Sequence, residues 1–163
     1  MAFNIVLHEP EIPHNTGAIG RTCLMAGAKL HLIHPFGFHL DEKSLKRSGL
    51  DYWARLAPTE YGNLADFWDK HIAGNAFPTN ARFFLAETKG PQRYTDVQYQ
   101  PNDFIIFGNE TMGLPPSLLA AHPEKIISIP MTGDENARSL NLSVSVAIIL
   151  YEALRQTGFA GLQ

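Results

Sequence analysis

The sequence predicts an α/β fold in which a mostly parallel sheet is flanked by helices. Short apolar runs that read as buried strands alternate along the chain with segments of helical periodicity. Two of the later runs give way to glycine or small polar residues, Gly108-Asn109-Glu110 after Phe107 and Pro130-Met131 after Ile129, where a strand should stop and a helix begin. Strand-to-helix corners of this kind are where α/β proteins hold ligands.

Residues 3–7 read as the first strand, 15–26 as a helix closed by Gly27, and 29–34 as a second strand. Within 41–49, Lys43, Lys46 and Arg47 stand at i, i+3 and i+4 and share one helix face, either an ordinary solvated face or a local basic patch. Leu64, Phe67, Trp68 and Ile72 recur at helical spacing, and the run 82–86 reads as a buried strand. Residues 89–103, rich in Gly, Pro and Gln, form the longest expected loop. A strand over 103–107, a short helix over 115–121 begun by proline, and a last strand over 125–129 follow. Over 142–154 apolar residues surround the final helix: Val144, Ala147, Ile148 and Tyr151 form one stripe, Val146, Ile149, Leu150 and Ala153 the other. A helix apolar all round must be covered on both faces. The sheet can cover one, leaving the other to a second subunit or to a larger core.

A chain of 163 residues, 45% hydrophobic, is expected to form one compact domain over 1–163 that buries a core without staples. A single cysteine, Cys23, excludes an internal disulfide and any multi-cysteine metal site, which favours a reducing compartment. The start of the chain enters directly into Phe3-Asn4-Ile5-Val6-Leu7, and no run is long enough to span a bilayer, so the expectation is a soluble cytoplasmic protein without membrane contact. A formal charge of −3 and a pI near 6.1 argue against a protein that coats nucleic acid through a general basic field.

Several ligand classes lack their signatures. The turn over residues 8–17 has no Gly-x-Gly-x-x-Gly, and no phosphate-cradling Gly-x-x-x-x-Gly-Lys-Ser/Thr occurs, which counts against a dinucleotide oxidoreductase and a P-loop NTPase. The seven histidines include no His-Glu-x-x-His, and His31 and His34 would point to opposite faces of a strand, so no metal is expected. The nucleophile elbow Gly-x-Ser-x-Gly is also missing.

Three segments together carry a resemblance: Pro13-x-Asn15-x-Gly17-x-x-x-Arg21, then Phe107-Gly108-Asn109-Glu110-Thr111-Met112-Gly113-Leu114, then Ile129-Pro130-Met131 with Arg138-Ser139-Leu140-Asn141-Leu142-Ser143. They resemble the signature motifs of the SPOUT-class RNA 2′-O-ribose methyltransferases, whose C-terminal chain is tied in a trefoil knot. The similarity covers residues 4–158. Gly37-Phe38 and Arg47-Ser48-Gly49-Leu50-Asp51-Tyr52 are similar in particular to the small tRNA (cytidine/uridine-2′-O)-methyltransferases that act on the anticodon wobble nucleotide. Relatives commonly carry proline at the position of Asn109, and the segment 132–137 looks slightly longer than theirs.

The resemblance implies S-adenosylmethionine as cofactor, no metal, a tRNA anticodon stem-loop as partner, and a homodimer. It implies a cofactor pocket from Ala86, Gly108, Gly113, Ile129, Met131, Ser139 and Leu140, with the missing Cβ of Gly108 letting the backbone approach the ligand. It gives Arg21 to the 2′-hydroxyl and neighbouring phosphate, where a guanidinium clamps and stabilises rather than acting alone as a base. Asn15 buttresses that arginine or simply N-caps its helix. Glu110 fixes Arg21 or the cofactor loop, and Ser139 and Asn141 are the polar residues of the third motif, although Asn141 could equally cap the last helix. Lys43, Lys46, Arg47 and Arg138 are assigned to RNA, and Tyr151 to the dimer interface or to the core. The alternatives are ribose methylation of another RNA, such as ribosomal RNA, and a non-catalytic RNA-binding or ribosome-assembly module. The intact set Asn15, Arg21, Glu110, Ser139 and Asn141 favours catalysis.

Overall fold

A computed structural model describes residues 2–36, 38, 52–73, 81–134 and 139–163. Its centre is a seven-stranded sheet in the order β3-β2-β1-β6-β4-β7-β5. The strands are β1 (Asn4–His8), β2 (Lys29–Ile33), β3 (Thr59–Tyr61), β4 (Phe83–Glu87), β5 (Gln92–Arg93), β6 (Phe104–Phe107) and β7 (Ile126–Ser128). Every pairing is parallel, in keeping with the expected architecture. The helices are α1 (Pro13–Met25), α2 (Trp53–Leu56), α3 (Leu64–His71), α4 (Pro116–Ala121) and α5 (Leu142–Gln156).

Side-chain alternation divides the strands between two cores. Ile5, Leu7, Leu30, Leu32, Ile105 and Phe107 point to one face, where Ile19 and Cys23 of α1 and Val146, Ile149, Leu150 and Ala153 of α5 cover them. Val6, Ile33, Leu85 and Ile106 point to the other, against Phe67 of α3 and Leu118 of α4. A parallel sheet covered on both faces in this way needs strands that are apolar throughout, which explains why runs such as Phe104–Phe107 show no polar alternation. Phe67 is fully buried, and its loss would cost roughly 3–5 kcal/mol.

Two short strands and one residue depart from the sequence reading. The strands β3 and β5 lie at the two edges of the sheet, and β5 falls inside the expected loop 89–103. Asp103, placed in the strand by the sequence, instead precedes it: it is buried, and its carboxylate is held by Arg82 Nε at 2.9 Å and by the Gln100 amide at 2.8 Å. The basic segment with Lys43, Lys46 and Arg47 lies outside the described residues.

A hydrogen-bonded chain runs through the second core. Asn4 donates its Nδ2 to the Asn102 carbonyl at 2.9 Å, which leaves Oδ1 to accept from His31 Nε2 at 3.1 Å. His31 Nδ1 is then an acceptor, and the Tyr61 hydroxyl donates to it at 2.8 Å while accepting from His71 Nε2 at 2.8 Å. Burial, reinforced by His71, Lys29 and Lys70, pushes the His31 pKa down to about 3. Among the described residues no helix is long and apolar enough to cross a membrane.

Candidate active site

The loops that follow β4, β6 and β7 meet the N-terminus of α1 around a cavity of about 400 Å³. Its position, beyond the C-terminal ends of three adjacent central strands, is the usual place for a ligand in a parallel sheet.

The loop after β6 turns back on itself. The Gly113 amide donates to the Asn109 carbonyl at 3.1 Å, and the Met112 amide to Asn109 Oδ1 at 2.6 Å. Asn109 thus ties the turn through a side-chain acceptor that proline would lack. A Cβ on Gly108 would overlap the Gly113 carbonyl carbon and the Leu114 nitrogen. The glycine expected to make room for a ligand makes room first for its own loop, which corrects the reason given to it by the sequence. Gly113 has φ +70°, a left-handed conformation that favours glycine.

Glu110, from the same loop, reaches across to the start of α1. Its Oε2 accepts from the Glu11 amide at 2.9 Å, and its Oε1 from the Ile12 amide at 3.1 Å and from Asn15 Nδ2 at 3.2 Å. A carboxylate at a helix N-terminus satisfies orphan amides and the helix dipole together. Asn15 does not cap that helix. Pro13 starts α1 two residues earlier than the sequence suggested, so Asn15 sits buried within the first turn and its side chain is free to bridge. Its Oδ1 accepts from Asn141 Nδ2 at 2.9 Å, and Asn141 Oδ1 caps α5 by accepting from the Ser143 amide at 2.8 Å. The chain Glu110–Asn15–Asn141 therefore ties the first, second and third motifs into one wall of the cavity.

The residues expected to form the cofactor pocket, Ala86, Gly108, Gly113, Ile129, Met131, Ser139 and Leu140, all line this cavity, as do Asn15, Glu110 and Asn141. Glu87, Thr88, Phe107 and Ser145 line it too and were not singled out from the sequence. Arg21 does not line it. It lies exposed on α1 with its guanidinium 5.2 Å from the centre of the Tyr52 ring, and the Tyr52 hydroxyl donates to the Gly17 carbonyl. Among the described residues no Lys, Arg or His lines the cavity, whereas two carboxylates, Glu87 and Glu110, do. Such a donor set suits a ligand with a large uncharged body and a positive charge better than it suits a phosphate. S-adenosylmethionine, with its adenosine and sulfonium, fits that description.

Residues 2–151 match the SpoU rRNA Methylase family. The chain belongs to the SpoU methylase family. It is 46% identical over 160 residues to the tRNA (cytidine(34)-2′-O)-methyltransferase of Yersinia pestis, covering 98% of this chain and 96% of that protein. Among solved structures, one described as "Structural insights into the 2-OH methylation of C/U34 on tRNA" superposes with TM-score 0.85 at 38% identity, covering 96% of this chain and 97% of that one. The SpoU methyltransferase AviRb from Streptomyces viridochromogenes, in complex with the cofactor AdoMet, superposes with TM-score 0.81 at 27% identity, over 96% of this chain and 60% of that one.

Two site expectations for this SpoU methylase remain, Arg138 and Tyr151. Arg138 lies outside the described residues. Tyr151 is 45% exposed on the outer face of α5 with Val144, while Ala147 and Ile148 are half-buried. The core reading of Tyr151 is thus set aside, and the stripe left bare is the one opposite Val146, Ile149, Leu150 and Ala153. Among the described residues no group of three or more His, Cys, Asp or Glu is placed to hold a metal ion.

Proposed function

We propose that this chain transfers a methyl group from S-adenosylmethionine to the ribose 2′-hydroxyl of the cytidine or uridine at the wobble position, nucleotide 34, of tRNA. The observation that carries the reading is the cavity after β4, β6 and β7, with two carboxylates and no cation among its described lining residues and one wall tied by the Glu110–Asn15–Asn141 chain. The full-length similarity to tRNA (cytidine(34)-2′-O)-methyltransferases supports the choice of nucleotide.

When bound, the cofactor would supply an electrophilic methyl to the ribose oxygen, with the S–C electron pair left on sulfur and the hydroxyl proton passing to a phosphate oxygen, a carboxylate or water. The protein contributes placement and charge. Ala86, Gly108, Gly113, Ile129, Met131, Ser139 and Leu140 would hold the adenosine and methionine parts between the loops. Asn15, Glu110 and Asn141 keep those loops in register with α1. Arg21, held by Tyr52 on α1 and free of the cavity wall, would meet the RNA from outside it, clamping the phosphate and stabilising the alkoxide as the hydroxyl proton departs.

The same reading includes a C-terminal trefoil knot in a single domain over 1–163, a cytoplasmic enzyme, and a homodimer in which the bare face of α5 around Tyr151 packs on its counterpart. Lys43, Lys46, Arg47 and Arg138 would bind the backbone of the anticodon stem-loop. Incubating the protein with radiolabelled S-adenosylmethionine and either total tRNA or ribosomal RNA tests the substrate class. Label in tRNA alone is expected; label confined to ribosomal RNA, or none in either, would refute the proposal.

A further inference from the structure

The two carboxylates of the cavity are not equivalent. Glu110 spends both oxygens on three N–H donors, from Glu11, Ile12 and Asn15. Glu87, the last residue of β4, accepts one hydrogen bond, from the Leu114 amide to Oε1 at 2.7 Å. Among the described residues its Oε2 has no hydrogen-bond partner and no cation pairs with it. Oε1 and Oε2 would lie 2.9 and 3.1 Å from a Cβ built on Gly113, so the carboxylate is pinned against the turn that bounds the cavity. β4 stands between β6 and β7, placing this charge at the meeting point of all three loops.

We propose that Glu87 reads the charge of the cofactor: it makes the cavity prefer the cationic sulfonium of S-adenosylmethionine over the neutral thioether of S-adenosylhomocysteine, and so helps the product leave. This rests on the cofactor assigned above. The physical reason is that both ligands carry the same adenosine, ribose diol, ammonium and carboxylate, and differ by one methyl and one positive charge on sulfur. A fixed carboxylate with an unspent oxygen, in a wall whose described residues include no cation, interacts differently with the two. Once the methyl has left, that attraction is gone. A purely structural Glu87, or one that binds the ribose diol, would favour neither ligand.

Calorimetric titration of the purified protein with S-adenosylmethionine and, separately, with S-adenosylhomocysteine gives the ratio of the two Kd values. Glu87→Gln keeps an acceptor for the Leu114 amide and removes the charge; Glu87→Thr, suited to a strand end, is a second variant should the first fail to fold. The expected result is a roughly tenfold shift of the ratio toward S-adenosylhomocysteine in both variants, the size of one ordinary charge contact in a partly solvated site. A ratio unchanged from the native protein, with both affinities intact or weakened together, would overturn the role. Failure of the native protein to bind either ligand would instead overturn the cofactor assignment, and this role with it.

Discussion

Glu110, Asn15 and Asn141 show how little of the active-site wall depends on charge pairing. A single carboxylate takes two backbone amides and a side-chain amide, and two asparagines pass the connection on to the cap of α5. Arg21 stands apart from that wall, and this separation divides chemistry from cofactor binding. Arg21→Ala is expected to lower single-turnover methyl transfer at least a hundredfold while leaving the Kd for S-adenosylmethionine within about twofold, in line with the loss of one transition-state donor. A matching loss of cofactor affinity would move Arg21 into the cavity and contradict its placement. The motif residues were legible because fixed spacings carried them. Glu87 was not, since one carboxylate at a strand end has no spacing to read, and its surroundings, the Leu114 amide and a wall with no cation among the described residues, appear only in the fold. For Asn15 and Gly108 the local reasons differ from those the sequence suggests: Pro13 moves the helix start, and the Gly113–Leu114 backbone occupies the space beside Gly108.

At the scale of elements, long apolar patterns were the readable ones. The strands β1, β2, β4, β6 and β7 and the helices α1 and α3 to α5 lie within about two residues of their expected ends. The edge strands β3 and β5, three and two residues long, are too short to show any period, and only pairing with β2 and β7 defines them. The double stripe of α5 resolves into a buried face and an outer one on which Val144 and Tyr151 are exposed and Ala147 and Ile148 half-buried. Light scattering is expected to give a dimer, and Tyr151→Asp to shift it to monomer, because burying an unpaired carboxylate in that face costs several kcal/mol. A native protein of monomer mass would leave α5 exposed and remove the dimer from the proposal.

The whole molecule carries its most consequential buried polar chain far from the cavity, across β1, β2, β3 and α3. Burial, reinforced by His71, Lys29 and Lys70, depresses the folded pKa of His31 to about 3 from an ordinary value of 6.5, which keeps it neutral and able to accept from Tyr61. As pH falls below 6.5 the unfolded chain takes up a proton that the folded chain refuses, and stability declines down to about pH 3. His71, also lowered chiefly by burial, adds to the decline in its upper part. Urea unfolding at pH 5 should therefore give a stability about 2 kcal/mol below that at pH 7.5 from His31 alone. His31→Gln should be less stable at neutral pH and show a flatter dependence. An equally steep dependence in that variant would place the proton uptake elsewhere.

The central claim, methyl transfer to the wobble ribose, is tested most directly by locating the product. Total tRNA from cells lacking this enzyme, treated with the purified protein and S-adenosylmethionine, can be mapped for ribose methylation at single-nucleotide resolution by mass spectrometry of nuclease fragments. The expected result is a new 2′-O-methyl group on cytidine or uridine at nucleotide 34 and nowhere else, lost with Arg21→Ala. A methyl group on a base, or on the ribose of any other nucleotide with nucleotide 34 unchanged, would contradict it.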